Sequence, residues 1–378
     1  MIIKGARVYR DHQFTDSDIR LQDGKIVEIA PHLEGVDVID ARGLRALPGF
    51  IDIHTHGGMH VDVNHITKES LDSLCRFFAS VGTTSFLASV MTDTHEKTLQ
   101  LLDLLGSESG KARKGATLLG IHLEGPFLSP AYKGAMPERC LKKGDAGLLE
   151  EYLQCAKGNV RYVTIAPEVE GAIPLIERFH DRIPFAIGHS GADFETAMRA
   201  IRAGAVSTTH LFNAMGLFHM HRPAISGAAL LSDIYVETIC DGRHLHPATV
   251  ALVLKTKGWD KVVAITDCIM ATGLPDGEYQ LGQDEVIVKD GDAKTPEGVR
   301  AGSTLTTIQA LRNIMAYTQA PMEKVVPLLT ENPAKLIGVW NTKGSITPGK
   351  DADLLLVDGE AHIKATIIGG RIVYKEHT

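Results

Sequence analysis

The strongest constraint in this sequence is a series of eight short apolar, β-branched segments between residues 49 and 267, most of them separated by helical stretches. They occupy residues 49–56, 84–90, 117–124, 160–168, 184–189, 206–210, 235–241 and 262–267. Most are continuous apolar runs rather than alternating ones, which is the pattern of strands covered on both faces. Helical spacing, with apolar residues three and four apart, fills gaps at 68–81, 95–105, 193–203 and 247–257. Eight successive βα units predict an α/β fold, a (β/α)8 TIM-like barrel.

The texture changes outside that span. Short strand-like pieces broken by turn residues lie at 2–8, 17–21, 25–29 and 36–40, and again at 354–357 and 363–374, where Gly369-Gly370 interrupts. Neither end holds enough strand to close a core alone. The expected organisation is therefore a small β-sandwich domain built from residues 1–48 and 345–378, around a catalytic barrel at 49–344, with a hairpin-like insert at 276–301. Composition narrows the class. With 44% apolar and 22% charged residues in 378, the chain is neither disordered nor fibrous nor a membrane bundle. Its 46 acids outnumber 39 Lys and Arg, for a net charge of −7, which argues against a large basic surface for nucleic acid. No run approaches the roughly 20 apolar residues of a bilayer span. The start Met1-Ile2-Ile3-Lys4-Gly5 lacks a signal-peptide pattern, and five cysteines without a C-x-x-C pair point to the cytoplasm.

The polar residues at the strand ends carry the chemistry. In such barrels functional groups come from the C-terminal ends of strands. The first segment ends His54-Thr55-His56, whose imidazoles at i and i+2 share a face. The third ends His122-Leu123-Glu124 before Gly125-Pro126, the fifth at His189, the sixth at His210 and the eighth at Asp267. Each alone has a structural reading: a hydrogen-bonded core histidine, a solvated acid, an N-cap. Together, four histidines and two acids from five strands converge on one mouth. Imidazole and carboxylate without thiolate suit Zn²⁺, and equally Fe²⁺, Mn²⁺ or Co²⁺. Two ions use all six groups, with His54, His56 and Asp267 on one, His189 and His210 on the other, and Glu124 shared. Such a site makes a nucleophile of water near neutral pH and polarises a carbonyl, and Asp267 can carry the proton.

These residues resemble the amidohydrolase superfamily and, within it, the N-acetylglucosamine-6-phosphate deacetylases. The resemblance rests on Pro48-Gly49-Phe50-Ile51-Asp52-Ile53-His54-Thr55-His56-Gly57-Gly58, on residues 120–126 (GIHLEGP) and on Gly188-His189-Ser190. It continues through Thr209-His210-Leu211-Phe212-Asn213-Ala214-Met215, Asp241-Gly242-Arg243-His244-Leu245-His246-Pro247, Thr266-Asp267 and Ala301-Gly302-Ser303-Thr304-Leu305, in the family's order. It implies hydrolysis of the N-acetyl amide of an amino-sugar phosphate, releasing acetate. Glu124, His189 and His210 match the main metal positions, and His54 and His56 the pair seen in members with two ions, so one or two ions per subunit are implied. Asp267 matches the catalytic acid/base, and His244 the residue that contacts substrate and polarises the acetyl carbonyl. Asn213 and Ala214 match positions near the phosphate, Leu305 falls in a matching segment, and a homodimer is the family's usual assembly.

One segment departs. The family's His-His-Arg-Glu-Pro-Gly reads His219-Met220-His221-Arg222-Pro223-Ala224 here, placing His221 where the phosphate-binding Arg belongs. Either Arg222 shifts to serve the anion, or His221 serves it, or the substrate is another N-acetylated compound, a galacto epimer or an unphosphorylated sugar. Ring-opening amidohydrolases form a rival class, but they bridge their ions with a Lys ending strand four, where this chain has Ala166-Pro167-Glu168. A barrel that has lost catalysis is the other rival.

Overall fold

The computed structural model describes residues 1–376. Its central sheet has eight parallel strands in chain order: Phe50–Thr55, Thr83–Met91, Thr117–Glu124, Val160–Ile165, Phe185–Ile187, Ser207–Thr208, Tyr235–Ile239 and Val262–Ile265. The first two are buried at every residue, as a strand covered on both faces must be. The ends of the ring meet at the C-terminal rim, where the Asp267 N–H donates to the His54 carbonyl at 2.9 Å and the His56 N–H to the Cys268 carbonyl at 2.8 Å. The predicted barrel is therefore present, and nearly closed.

Several strands stop earlier than the sequence predicts. The runs expected to reach His189, His210 and Asp267 end at Ile187, Thr208 and Ile265. These three residues have left-handed backbone, with φ of 48°, 28° and 51°. Sheet pairing ends because the chain turns sharply at the residue whose side chain must enter the mouth.

Local capping explains the helix starts. Thr67 and Ser70 form a reciprocal capping box at the helix Lys68–Ser80, and Asp193 caps Phe194–Arg202. His246 caps Pro247–Lys257 by accepting from the Ala248 N–H at 3.1 Å.

Both termini join one eight-stranded sheet. Leu354–Val357 pairs antiparallel with Arg45–Pro48, which in turn pairs with Ile2–Arg10, while Ile363–Ile368 and Arg371–Lys375 extend the other edge. Ile3, Val8, Ile19, Leu21, Leu354, Leu356 and Ile367 form its own core. The insert is a three-stranded antiparallel meander, Gly277–Leu281, Asp284–Lys289 and Asp292–Lys294, rather than a single hairpin. Its apolar face (Leu281, Val286, Val288) packs on Met91, Leu128 and Met136, which seats it over the barrel mouth.

The barrel's helix-to-strand packing can be tested at Phe86, which is fully buried with its ring 4.8 Å from Phe78 in edge contact. Phe86→Ala should cost about 3–5 kcal/mol by equilibrium denaturation. A loss under about 1 kcal/mol would place Phe86 outside the packed core.

Candidate metal centre and active site

The six predicted residues meet. His54, His56 and Asp267 form one group able to hold a metal ion, and Glu124, His189 and His210 form another. One carboxylate joins them. Glu124 Oε1 lies 3.0 Å from His189 Nε2 and 3.4 Å from both His210 Nε2 and His54 Nε2, while Oε2 lies 3.3 Å from His56 Nε2. Asp267 Oδ1 sits 3.1 Å from His56 Nε2 and 3.5 Å from His54 Nε2. All six residues are buried.

The outer ring nitrogens decide what the inner ones present. His56 Nδ1 faces the Ser89 carbonyl at 3.2 Å and His189 Nδ1 the Tyr132 carbonyl at 2.9 Å. A carbonyl only accepts, so both Nδ1 atoms carry the proton, and in the neutral ring each Nε2 turns a lone pair inward. His54 Nδ1 faces the Glu237 carboxylate at 3.1 Å, with the same consequence. Two of the inner contacts are then nitrogen against nitrogen, His54 to His56 at 3.2 Å and His189 to His210 at 3.1 Å. Facing lone pairs repel unless a cation lies among them. The donor set therefore fits divalent metal, with each of these three imidazoles oriented from behind as metal-bound histidines usually are.

Electrostatics agree in direction. Burial disfavours the ionised form of Glu124, but the surrounding imidazoles, His54 foremost, outweigh it and hold the carboxyl well below its ordinary range. Burial likewise opposes ionisation of Asp267, and His54 and His56 outweigh it, bringing its pKa to about 2. In the other direction, burial lowers the basicity of His56 while Asp267 and Glu124 push it up to about 9. The pocket is thus built to pair anionic carboxylates with positive charge.

Sequence reasoning missed the supporting residues. Glu237, fully buried in the strand Tyr235–Ile239, accepts from His54 Nδ1 and from the His210 N–H at 3.1 Å, so one acid braces a ligand from each group. An acid inside an apolar strand was its only local signal. His122 beside Glu124 is the bland case: Ser89 and Thr164 hydroxyls satisfy both its nitrogens at 2.8 Å, and burial keeps it neutral. Gly125, which ends the Glu124 strand, has φ +90°, and a Cβ there would lie 2.2 Å from Thr92 Oγ1. Gly57 is close to its own chain, since a Cβ would meet the Val61 carbonyl oxygen at 2.0 Å, so Gly57-Gly58 serves the local turn. Ser303 donates to the Thr266 carbonyl, and Thr306 caps the following helix.

A cavity of about 340 Å³ opens over this cluster, walled by Tyr132, Met136, Asn213, Ala214, His244, Val299 and Arg300 among others. His244 is held by Asp241 Oδ2 at 2.7 Å through Nδ1, and Nε2 has no hydrogen-bond partner among the described residues. The other residues expected at the site fall elsewhere: His221 and Arg222 lie exposed on a tight turn closed by His219, and Leu305 is buried. None of the three lines the cavity. Glu168, in the turn just past strand four, accepts from the Ser190 hydroxyl at 2.7 Å and the Gly191 N–H at 2.6 Å, and no lysine lines the cavity among the described residues. The bridging-lysine arrangement of the ring-opening class is absent among the described residues.

Fold and site together define a barrel enzyme organised around a metal centre. The chain belongs to the amidohydrolase family, a metal-dependent family whose model matches residues 45–373. It is 39% identical over 335 residues to the N-acetylglucosamine-6-phosphate deacetylase of Bacillus subtilis (strain 168), covering 87% of this chain and 84% of that one. It is 33% identical to an N-acetylgalactosamine-6-phosphate deacetylase of Escherichia coli O157:H7, over 98% of each chain. Among solved structures, a mutant N-acetyl-D-glucosamine-6-phosphate deacetylase from Mycobacterium smegmatis, in complex with N-acetyl-D-glucosamine-6-phosphate, superposes with a TM-score of 0.93 at 29% identity, covering 99% of each chain.

Bracing by Glu237 has a direct consequence. Glu237→Gln should weaken metal binding about 10- to 100-fold in a chelator competition, and unchanged affinity would mean that His54 is held by packing alone.

Proposed function

We propose that this enzyme hydrolyses the N-acetyl amide of N-acetylglucosamine 6-phosphate, giving glucosamine 6-phosphate and acetate. The observation that carries the reading is the pair of ligand groups sharing Glu124 beneath a cavity that also receives Asp267 and His244. His54, His56, Asp267, Glu124, His189 and His210 would hold one or two divalent ions. Zn²⁺ is the proposed metal, since its preference for nitrogen and oxygen donors matches the set. A bound ion supplies Lewis-acid polarisation of the acetyl carbonyl and allows water to act as a nucleophile at neutral pH.

The chain's own residues do the rest. Asp267, ionised at neutral pH, takes a proton from the attacking water and returns it to the departing sugar nitrogen. His244, fixed by Asp241, faces the carbonyl oxygen and holds it in register. Ala214, at φ +48°, turns the wall beside Asn213, and its carbonyl accepts from the Ser190 N–H at 3.1 Å. Asn213 itself commits its amide nitrogen to the His210 and Leu211 carbonyls, which leaves its oxygen for the ligand. Asp52, buried beneath the site with its pKa raised to about 6 by burial, braces the rim by accepting from the Thr266 hydroxyl at 2.5 Å and is structural.

A galacto-configured substrate is the second reading, favoured by the relative from Escherichia coli that is named for it. The reading carries a homodimer with it, supported by the exposed apolar side chains Leu217, Phe218 and Met220. Five free cysteines support a cytoplasmic setting, and among the described residues no helix is long and apolar enough to cross a membrane.

Acetate release from N-acetylglucosamine 6-phosphate and its galacto epimer is the deciding assay, with faster turnover of the gluco form expected. No release from either overturns the proposal. Asp267→Asn should retain metal yet lose on the order of 10²- to 10⁴-fold in kcat, the usual worth of a positioned proton carrier. Near-normal turnover would assign proton transfer to another group.

A further inference from the structure

Resting on the deacetylase reading, we propose that Arg300 is the residue of this chain that binds the substrate's phosphate. It is the one Lys or Arg among the described residues lining the cavity. The residues expected from the departed motif, His221 and Arg222, lie exposed outside it. A dianion entering a neutral wall would lose its hydration without return, so the cavity needs a cation where the phosphate rests.

Arg300 is built for that task. It lies on the return segment of the insert, with its backbone bridged to Lys294 in the last strand. Its Nε and Nη2 donate to the two oxygens of Asp292 at 2.8 and 3.1 Å, which fixes the plane of the guanidinium. Of the five N–H groups, this leaves three without a partner among the described residues, both on Nη1 and one on Nη2, and the side chain remains 33% exposed. Lys294 also contacts Asp292 at 2.8 Å, so one acid is shared between two cations and the cluster keeps a net positive charge. A planar fork held on one edge presents its other edge to an anion with little further ordering. The insert, whose Leu281 and Val299 also line the cavity, thereby gains a role: it carries the anion-recognising group to the rim of the metal centre.

The test uses the purified, metal-replete full chain with N-acetylglucosamine 6-phosphate and unphosphorylated N-acetylglucosamine side by side. Arg300→Ala should raise KM for the phosphorylated sugar about 10- to 100-fold, the worth of a charged hydrogen bond, while kcat/KM for the plain sugar stays within about twofold. Unchanged handling of the plain sugar also shows that the variant is folded. Arg300→Lys should fall between wild type and Arg300→Ala, because charge survives and the fork does not. Equal losses on both sugars, no loss on either, or a larger phosphate-specific loss in Arg222→Ala would overturn the assignment. A wild-type protein that releases acetate from neither sugar overturns the deacetylase reading and this assignment with it; active wild type with an indifferent Arg300→Ala overturns the assignment alone.

Discussion

Four imidazoles and two carboxylates turned toward one another at hydrogen-bond distance constitute a charge arrangement that needs cations at its centre. The barrel is shaped to enforce it. Carbonyls of Ser89 and Tyr132 and the carboxylate of Glu237 take the outer N–H groups of three histidines, so those rings cannot relieve the crowding by flipping tautomer. Desolvation raises the cost further, because buried unpaired charge is far more expensive than exposed charge. Folding therefore prepares a donor set already gathered for metal, and the binding energy of the ion returns as stability of the folded state.

The backbone is strained locally by this convergence. His189, His210 and Asp267 each adopt left-handed φ immediately after a strand, a conformation that costs a non-glycine residue of order 1–3 kcal/mol. Strain at three of six ligand positions is tolerable because the parallel strands behind them are buried on both faces and cannot yield. The same rigidity lets loops and the insert vary around a constant centre. The metal-capable groups stand at the strand ends, while Asn213, His244 and Arg300 stand in the walls of the cavity above them, where the proposed function puts selection among N-acetylated sugars.

Most of the centre was legible in the sequence because its ligands follow directly on apolar runs, where a charged or metal-capable residue has no cheap structural role. His54-Thr55-His56 and Glu124-Gly125-Pro126 announce themselves by period and by a strand-breaking turn. Glu237 did not, since its partners His54 and His210 are far away in sequence and only ring closure brings them together. Strand limits at His189, His210 and Asp267 were overrun for a related reason: alternation cannot reveal where backbone leaves the sheet. The loop expected to bind phosphate was the reverse case, where a motif implied a position and the folded chain placed His221 and Arg222 on an outer turn. Arg300 had no signal beyond lying in an insert, and its place beside the cavity depends on how that meander folds over the mouth.

Anomalous X-ray scattering from crystals of the metal-loaded protein, recorded across the zinc edge, tests the central claim most directly. The account predicts a peak coordinated by Glu124, His189 and His210, and a second, at full loading, shared by His54, His56 and Asp267 with Glu124 between them. A barrel mouth without anomalous density, its imidazoles bonded only to water and to one another, would contradict it.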